Sequence, residues 1–259
     1  MNGNFTATVR GRGPGLLLAH GAGGSVDANF GPVLDDLART HTVIGADYPG
    51  SGATPRSTEP LDLDDVADEL AAIAVDAGVE RWTVLGYSLG TAVAVRLATR
   101  HPDRVDGLIL TAGFAKPDNT LRLTLEIWDE LLRGDHRLLA TFLTLVASGR
   151  GALEGLAPSE LGRRVDDLAT SIPAGSPEHV ALCAAVDTRA ELRDIRVPTL
   201  VVSTTADRLT GPPLSRELAD GIPHADLVEI DAGHLIGDEA PGAWLAAIQR
   251  FLSGKKAAA

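Results

Sequence analysis

A serine framed by glycines, an aspartate and a histidine stand in this chain in an order that can move an acyl group. Gly86-Tyr87-Ser88-Leu89-Gly90 follows the apolar run 82–85 and precedes a helix-like stretch over about 89–100. A G-x-S-x-G between strand and helix holds its serine on a tight turn with the hydroxyl out above the sheet. Glycines are needed at 86 and 90 because larger side chains would crowd that turn. Thr91, Ala92 and Ala94 keep the next helix slim. A serine hydroxyl is a weak nucleophile until a base takes its proton, and the base needs an orienting group. His234 is the expected base: it follows the strand-like run 227–230 on a loop at the carboxyl edge of the expected sheet. His41, His101, His136, His179 and His224 fall at expected helix ends or in polar turns and are assigned to the surface. Asp207, just past the run 199–203, is the expected acid. The end of the run 105–110 offers no carboxylate nearer than Asp118, while Asp231 and Asp238 lie near the histidine and serve as controls.

Acyl transfer also needs donors for the oxyanion that develops on the carbonyl, worth about 3 kcal/mol each when well placed. The backbone N–H of Leu89, directly after the serine, is one expected donor. The other is expected from the small-residue loop His20-Gly21-Ala22-Gly23-Gly24, with the amide of Ala22 preferred and that of Gly23 second. The same loop lacks the Lys-Ser/Thr of a P-loop and the G-x-G-x-x-G spacing of a dinucleotide fold, so phosphate binding is set aside.

These groups need a scaffold, and the hydropathy pattern describes one. Apolar runs at 16–19, 42–46, 82–85, 105–110, 199–203 and 227–230 read as strands, with a further edge strand over 5–9. Between them lie helix-like stretches at 30–39, 61–77, 89–100 and 214–219, and a final one follows at 244–252. Leu63, Val66, Leu70, Ile73 and Ala74 recur three or four apart, which is one apolar helix face. Strand alternating with helix predicts an α/β fold with a mostly parallel sheet covered on both faces. From 114 to 193 no strand is evident, only helix-like pieces at 121–132, 137–146 and 177–186. Eighty residues are too many for a plain loop. They are expected to form a helical lid over the carboxyl edge of the sheet, where open α/β sheets bind ligands. The expected division is therefore a core of residues 1–113 and 194–253, a lid of 114–193 and a flexible tail of 254–259. Trp128, Leu131, Leu132, Phe142, Leu145 and Val146 are candidates to line an apolar pocket, a spacing that core packing would equally produce.

Composition narrows the partners. The 259 residues carry a formal net charge of −12, which repels nucleic-acid phosphates and anionic membrane surfaces. The single cysteine, Cys183, sits in an apolar run and reads as a small buried side chain, so no internal disulfide is possible. The first residues lack the basic start and apolar stretch of a signal peptide, and no apolar run reaches the roughly 20 residues that span a bilayer. A cytoplasmic protein acting on a small molecule is expected, with no cofactor, no metal, no nucleic acid and no membrane partner. Oligomeric state is left open.

The chain resembles the α/β-hydrolase superfamily, in the lid-bearing branch of esterases, lactonases, C–C bond hydrolases and cofactor-free haloperoxidase-like enzymes. The resemblance rests on Leu18-Ala19-His20-Gly21, Asp47-Tyr48-Pro49-Gly50-Ser51-Gly52, Gly86-Tyr87-Ser88-Leu89-Gly90, Arg100-His101-Pro102-Asp103-Arg104-Val105, Val197-Pro198-Thr199 with Asp207, and Ala232-Gly233-His234. The order Ser88, Asp207, His234 is the order of that family. The resemblance implies that Asp47 and the glycines after it form a structural turn beside the pocket. Two departures stand out: Ser203-Thr204-Thr205-Ala206-Asp207 lacks the glycine many relatives carry near its start, and the 20–24 loop lacks the proline of peptidase-like branches. The expected activity is cleavage of a small carboxylic ester, thioester or lactone through an acyl-Ser88 intermediate. The competing expectations keep the triad for elimination, cyclisation or perhydrolysis, or keep only the pocket as a ligand-binding relative.

Overall fold

The computed structural model describes residues 5–256. Seven strands form one sheet: β1 (Thr6–Gly11), β2 (Gly15–Ala19), β3 (Thr42–Asp47), β4 (Trp82–Tyr87), β5 (Val105–Thr111), β6 (Thr199–Thr204) and β7 (Asp226–Ile230). Their spatial order is β1-β3-β2-β4-β5-β6-β7, with β1 antiparallel to β3 and every other pairing parallel. The chain is thus the mostly parallel α/β sheet that the alternating pattern predicts.

Period-two alternation sends neighbouring side chains of each strand to opposite faces. Leu17, Ala19 and Val84 join one core with Val66, Leu70 and Ala74 of α2 (Leu63–Asp76) and with Ala92, Val93 and Leu97 of α3 (Leu89–Arg100). Leu16, Leu18 and Leu85 face the other way, into a second core with Phe30 and Leu34 of α1 (Val26–Ala38) and Trp244 and Ile248 of α12 (Pro241–Lys256). Buried on both sides, β2 and β4 read as largely apolar runs, as central parallel strands do, with Thr83 the one polar residue.

Between β5 and β6 come six helices: α4 (Asn119–Leu132), α5 (His136–Ala147), α6 (Arg150–Glu154), α7 (Pro158–Ser171), α8 (Ser176–Ala185) and α9 (Arg189–Leu192). Short helices α10 (Pro212–Gly221) and α11 (Ile236–Glu239) complete the set.

Larger departures from the sequence pattern occur at α1, α7 and α12. Helix α1 begins a turn earlier than residue 30, because the Ser25 hydroxyl accepts from the Ala28 N–H and the Asp47 carboxylate accepts from the Val26 N–H at 2.8 Å. Helix α7 has no counterpart among the expected helices: its apolar stripe is only Leu161, Val165 and Leu168 amid charged residues, and Val165 alone of its fourteen residues is buried. Helix α12 continues through 254–256, into the segment expected as a tail, while 257–259 lie outside the described residues. No helix among the described residues is long and apolar enough to cross a membrane.

Candidate active site

Ser88 sits between the end of β4 and the start of α3 with φ 55° and ψ −121°. A non-glycine residue at positive φ is strained, and here the surroundings hold it: its N–H donates to the Thr111 carbonyl at 3.0 Å, and its carbonyl accepts from the Thr91 hydroxyl at 2.7 Å. A Cβ on Gly90 would overlap the Ala19 carbonyl, and one on Gly86 would overlap the Gly90 carbonyl. The glycines are therefore the condition for the turn, as the motif implies.

The carboxyl ends of β4, β6 and β7 bring the three expected residues together. His234 Nε2 lies 3.0 Å from Ser88 Oγ, and its Nδ1 lies 2.8 Å from Asp207 Oδ2. All three are buried. Asp207 Oδ1 accepts the N–H groups of Leu209 (2.7 Å) and Thr210 (3.0 Å), and the Thr204 hydroxyl reaches Oδ2 at 3.0 Å. Burial alone pushes this carboxyl up. The His234 ring and the two backbone donors outweigh it and hold Asp207 below the ordinary carboxylate range. The Tyr87 hydroxyl donates to the His234 backbone carbonyl at 2.6 Å, which fixes the histidine loop from inside the G-x-S-x-G motif itself.

The control carboxylates have other work. Asp118 caps α4 by accepting from the Leu121 N–H, Asp231 lies 3.4 Å from the Thr205 hydroxyl, and Asp238 pairs with Arg164 at 3.0 Å. None of these bonds involves the His234 ring.

At the 20–24 loop the Gly21 N–H donates to Asn29 Oδ1 (2.8 Å), the Gly23 N–H to His179 Nδ1 (3.1 Å) and the Gly24 N–H to the Gly21 carbonyl (3.3 Å). Among the described residues the Ala22 and Leu89 amides have no acceptor. Gly23, the second-choice donor, is already engaged. His20 is fully buried, with Nδ1 donating to the Gly21 carbonyl and Nε2 accepting from the Tyr48 N–H, both at 2.8 Å. Its ring stacks on Tyr48 with centroids 3.7 Å apart. Burial first, and His179 second, lower its pKa to about 3.

The family whose sequence profile is described as the alpha/beta hydrolase fold matches residues 14–241. The chain belongs to that family. It is 28% identical over 94% of its length to 92% of the pyrrolizixenacetamide deacetylase of Xenorhabdus hominickii. It is 32% identical over 78% of its length to 79% of a pimeloyl-[acyl-carrier protein] methyl ester esterase of Neisseria meningitidis. Its fold matches the enol-lactonase of Burkholderia xenovorans LB400 with a TM-score of 0.86, at 24% identity over 96% of each chain. The chain is an enzyme, an α/β-hydrolase.

In this hydrolase a cavity of about 740 Å³ opens onto Ser88 and His234 and is lined from both the sheet side and the helices between β5 and β6. Of the six apolar candidates only Trp128 lines it. The wall is made instead by Leu143, Thr144 and Ala147 of α5 and by Arg164 and Leu168 of α7. Phe142 and Val146 pack against the core, the other outcome that spacing allows, and Leu145 is exposed. Among the described residues no group of three or more His, Cys, Asp or Glu could hold a metal ion. Cys183 is buried, and burial pushes its thiol up to about 12, which keeps it an inert side chain.

Two of the histidines assigned to the surface are buried, His41 and His179. His179 is the consequential one. It lies on α8 with no exposure, accepts from the Gly23 N–H and donates from Nε2 to the Pro49 carbonyl at 3.0 Å. Glu239 was also unmarked: its carboxylate accepts from Gly149 (2.9 Å) and Gly233 (2.7 Å), tying the α5–α6 junction to the His234 loop. Neither has a motif around it; each is significant only once the helices are placed on the sheet.

Proposed function

We propose that this hydrolase cleaves a small carboxylic ester, thioester or lactone through an acyl intermediate on Ser88. The carrying observation is the continuous hydrogen-bond path from Asp207 through His234 to Ser88 Oγ, at the end of a cavity where two backbone amides lack acceptors. A cavity of about 740 Å³ is in the range that encloses a small organic molecule. The relatives are named for removing an acetyl group or a methyl ester, reactions at an acyl carbonyl.

His234 Nε2 takes the proton from Ser88 Oγ as the oxygen bonds to the substrate carbonyl carbon. The carbonyl π pair moves onto oxygen, where the Ala22 and Leu89 N–H groups donate to it. Asp207 accepts from Nδ1–H and stabilises the imidazolium. Nε2–H then protonates the departing alkoxide or thiolate as its bond to carbon breaks, leaving acyl-Ser88. In a lactone the freed hydroxyl stays attached to the acyl chain. Water repeats the cycle: His234 takes its proton, the hydroxide attacks the acyl carbon, and Ser88 Oγ leaves with the proton from Nε2.

Turnover of short p-nitrophenyl esters and small lactones by the parent and by Ser88→Ala tests the reading. Loss of a serine nucleophile is expected to lower kcat/KM by about 10⁵-fold or more. A folded parent inactive on the whole panel, or an active Ser88→Ala, would sink it.

A further inference from the structure

His179 stands outside the Ser88–His234–Asp207 path, yet it holds the loop that carries one of the two acceptor-free amides. Its two ring nitrogens have opposite partners: a donor, the Gly23 N–H, faces Nδ1, and an acceptor, the Pro49 carbonyl, faces Nε2. Only the neutral ring with its proton on Nε2 satisfies both. Burial lowers the pKa of His179, against the Pro49 carbonyl and Glu178, which favour the charged form.

The loop geometry shows what that ring controls. The peptide plane whose N–H belongs to Ala22 carries the Gly21 carbonyl at its other end, and that carbonyl is fixed by His20 Nδ1–H and the Gly24 N–H. The next plane carries the Ala22 carbonyl and the Gly23 N–H, and its anchor is His179 Nδ1. Gly23 has φ +64°, a conformation that glycine leaves at little cost, so sterics alone do not hold this plane. Ala22 thus sits between two planes, one pinned from the sheet side and one pinned from α8. The α8 anchor is itself secured. The Gly175 N–H donates to the Gly50 carbonyl at 3.1 Å, and Glu178 binds Arg56 through two hydrogen bonds of 3.0 and 2.7 Å.

We propose that His179 is a positioning residue for the reaction: through the Gly23 N–H it sets the Ala22 amide for the oxyanion. The helical segment then takes part in transition-state stabilisation as well as in lining the cavity. This inference rests on the acyl-Ser88 reading and on Ala22 as a donor.

Two substitutions separate the two bonds. In His179→Asn the side-chain oxygen falls near the place of Nδ1 and keeps an acceptor for Gly23. In His179→Gln the amide nitrogen reaches toward Pro49 and leaves Gly23 without one. His179→Gln is expected to lower kcat about 10- to 100-fold with KM nearly unchanged, the signature of an interaction made in the transition state. A trifluoromethyl ketone, which forms a tetrahedral adduct on the serine, is expected to lose affinity in the same proportion. His179→Asn is expected to recover most of both. Equal activity of the two variants, or a loss confined to KM, overturns the proposal while leaving the acyl-enzyme reading intact if Ser88→Ala remains inactive. If neither variant folds, ring-nitrogen NMR shifts of the ¹⁵N-labelled parent decide: a proton on Nδ1 of His179 overturns it, and one on Nε2 sustains it.

Discussion

Two histidine environments meet around the 20–24 loop, and they use the same ring in opposite ways. His234 faces a carboxylate at Nδ1 and a hydroxyl at Nε2, so the ring has a partner at each nitrogen whether it carries one proton or two. His20 and His179 each face one carbonyl and one backbone N–H, so a second proton would point at a donor. The partners, and not the imidazole, decide whether a buried histidine is a base or a strut. The 20–24 loop is held by two rings whose partners, one carbonyl and one backbone N–H each, leave no place for a second proton.

The sharpest way to break that contrast is to give His234 the neutral surroundings of the other two. Asp207→Asn keeps the shape and removes the charge, and kcat/KM is expected to fall on the order of 10⁴-fold. Steady-state kinetics on a variant with an unchanged circular dichroism spectrum measures it; a loss under tenfold would mean the carboxylate charge is immaterial.

The struts should announce themselves through stability. His20 titrates at about 3 when folded against 6.5 for a free ring, so between these values the unfolded chain binds a proton that the folded chain refuses. Unfolding then takes up protons, and stability falls as pH drops through that window, by on the order of 2 kcal/mol from pH 7 to pH 5. Asp207 works in another range: its lowered pKa stabilises the fold above the ordinary carboxylate value, and that contribution is lost only as pH falls through the folded one. Urea unfolding at pH 7 and pH 5 gives the difference directly. Equal stability at the two values would show that His20 gains its second proton without cost.

The smallest effect concerns the link between motif and base. Tyr87→Phe removes the hydroxyl bound to the His234 carbonyl and is expected to cost about 1 kcal/mol of stability with a few-fold drop in kcat/KM. Thermal unfolding and kinetics together test it, and a variant equal to the parent in both would assign the His234 loop to other anchors.

The sheet was legible because burial on both faces leaves a plain trace: Leu16 to Ala19 is an unbroken apolar run, Trp82 to Leu85 is broken only by Thr83, and the candidate residues follow such runs closely. Ser88, Asp207 and His234, which the structure brings together, could be singled out because each lies within a few residues of a strand end. The helical segment left a fainter trace. Helix α7 buries one side chain yet supplies Arg164 and Leu168 to the cavity, and α5 presents Leu143, Thr144 and Ala147 where spacing offered its neighbours equally. His179 was assigned to the surface because polar residues at a helix start usually are. Its burial depends on α8 meeting the 49–50 turn, a contact some 130 residues away in the chain.

The glycine packing beneath Ser88 bears on how this enzyme could be changed. In a library of random variants, positions 86 and 90 tolerate nothing larger than hydrogen, because any side chain there meets backbone that cannot retreat. Leu143 and Leu168 border open space instead. Selection for new substrates would therefore accumulate its changes along the helical wall while the turn under Ser88 stayed invariant, leaving two adjacent surfaces of one cavity with very different rates of drift.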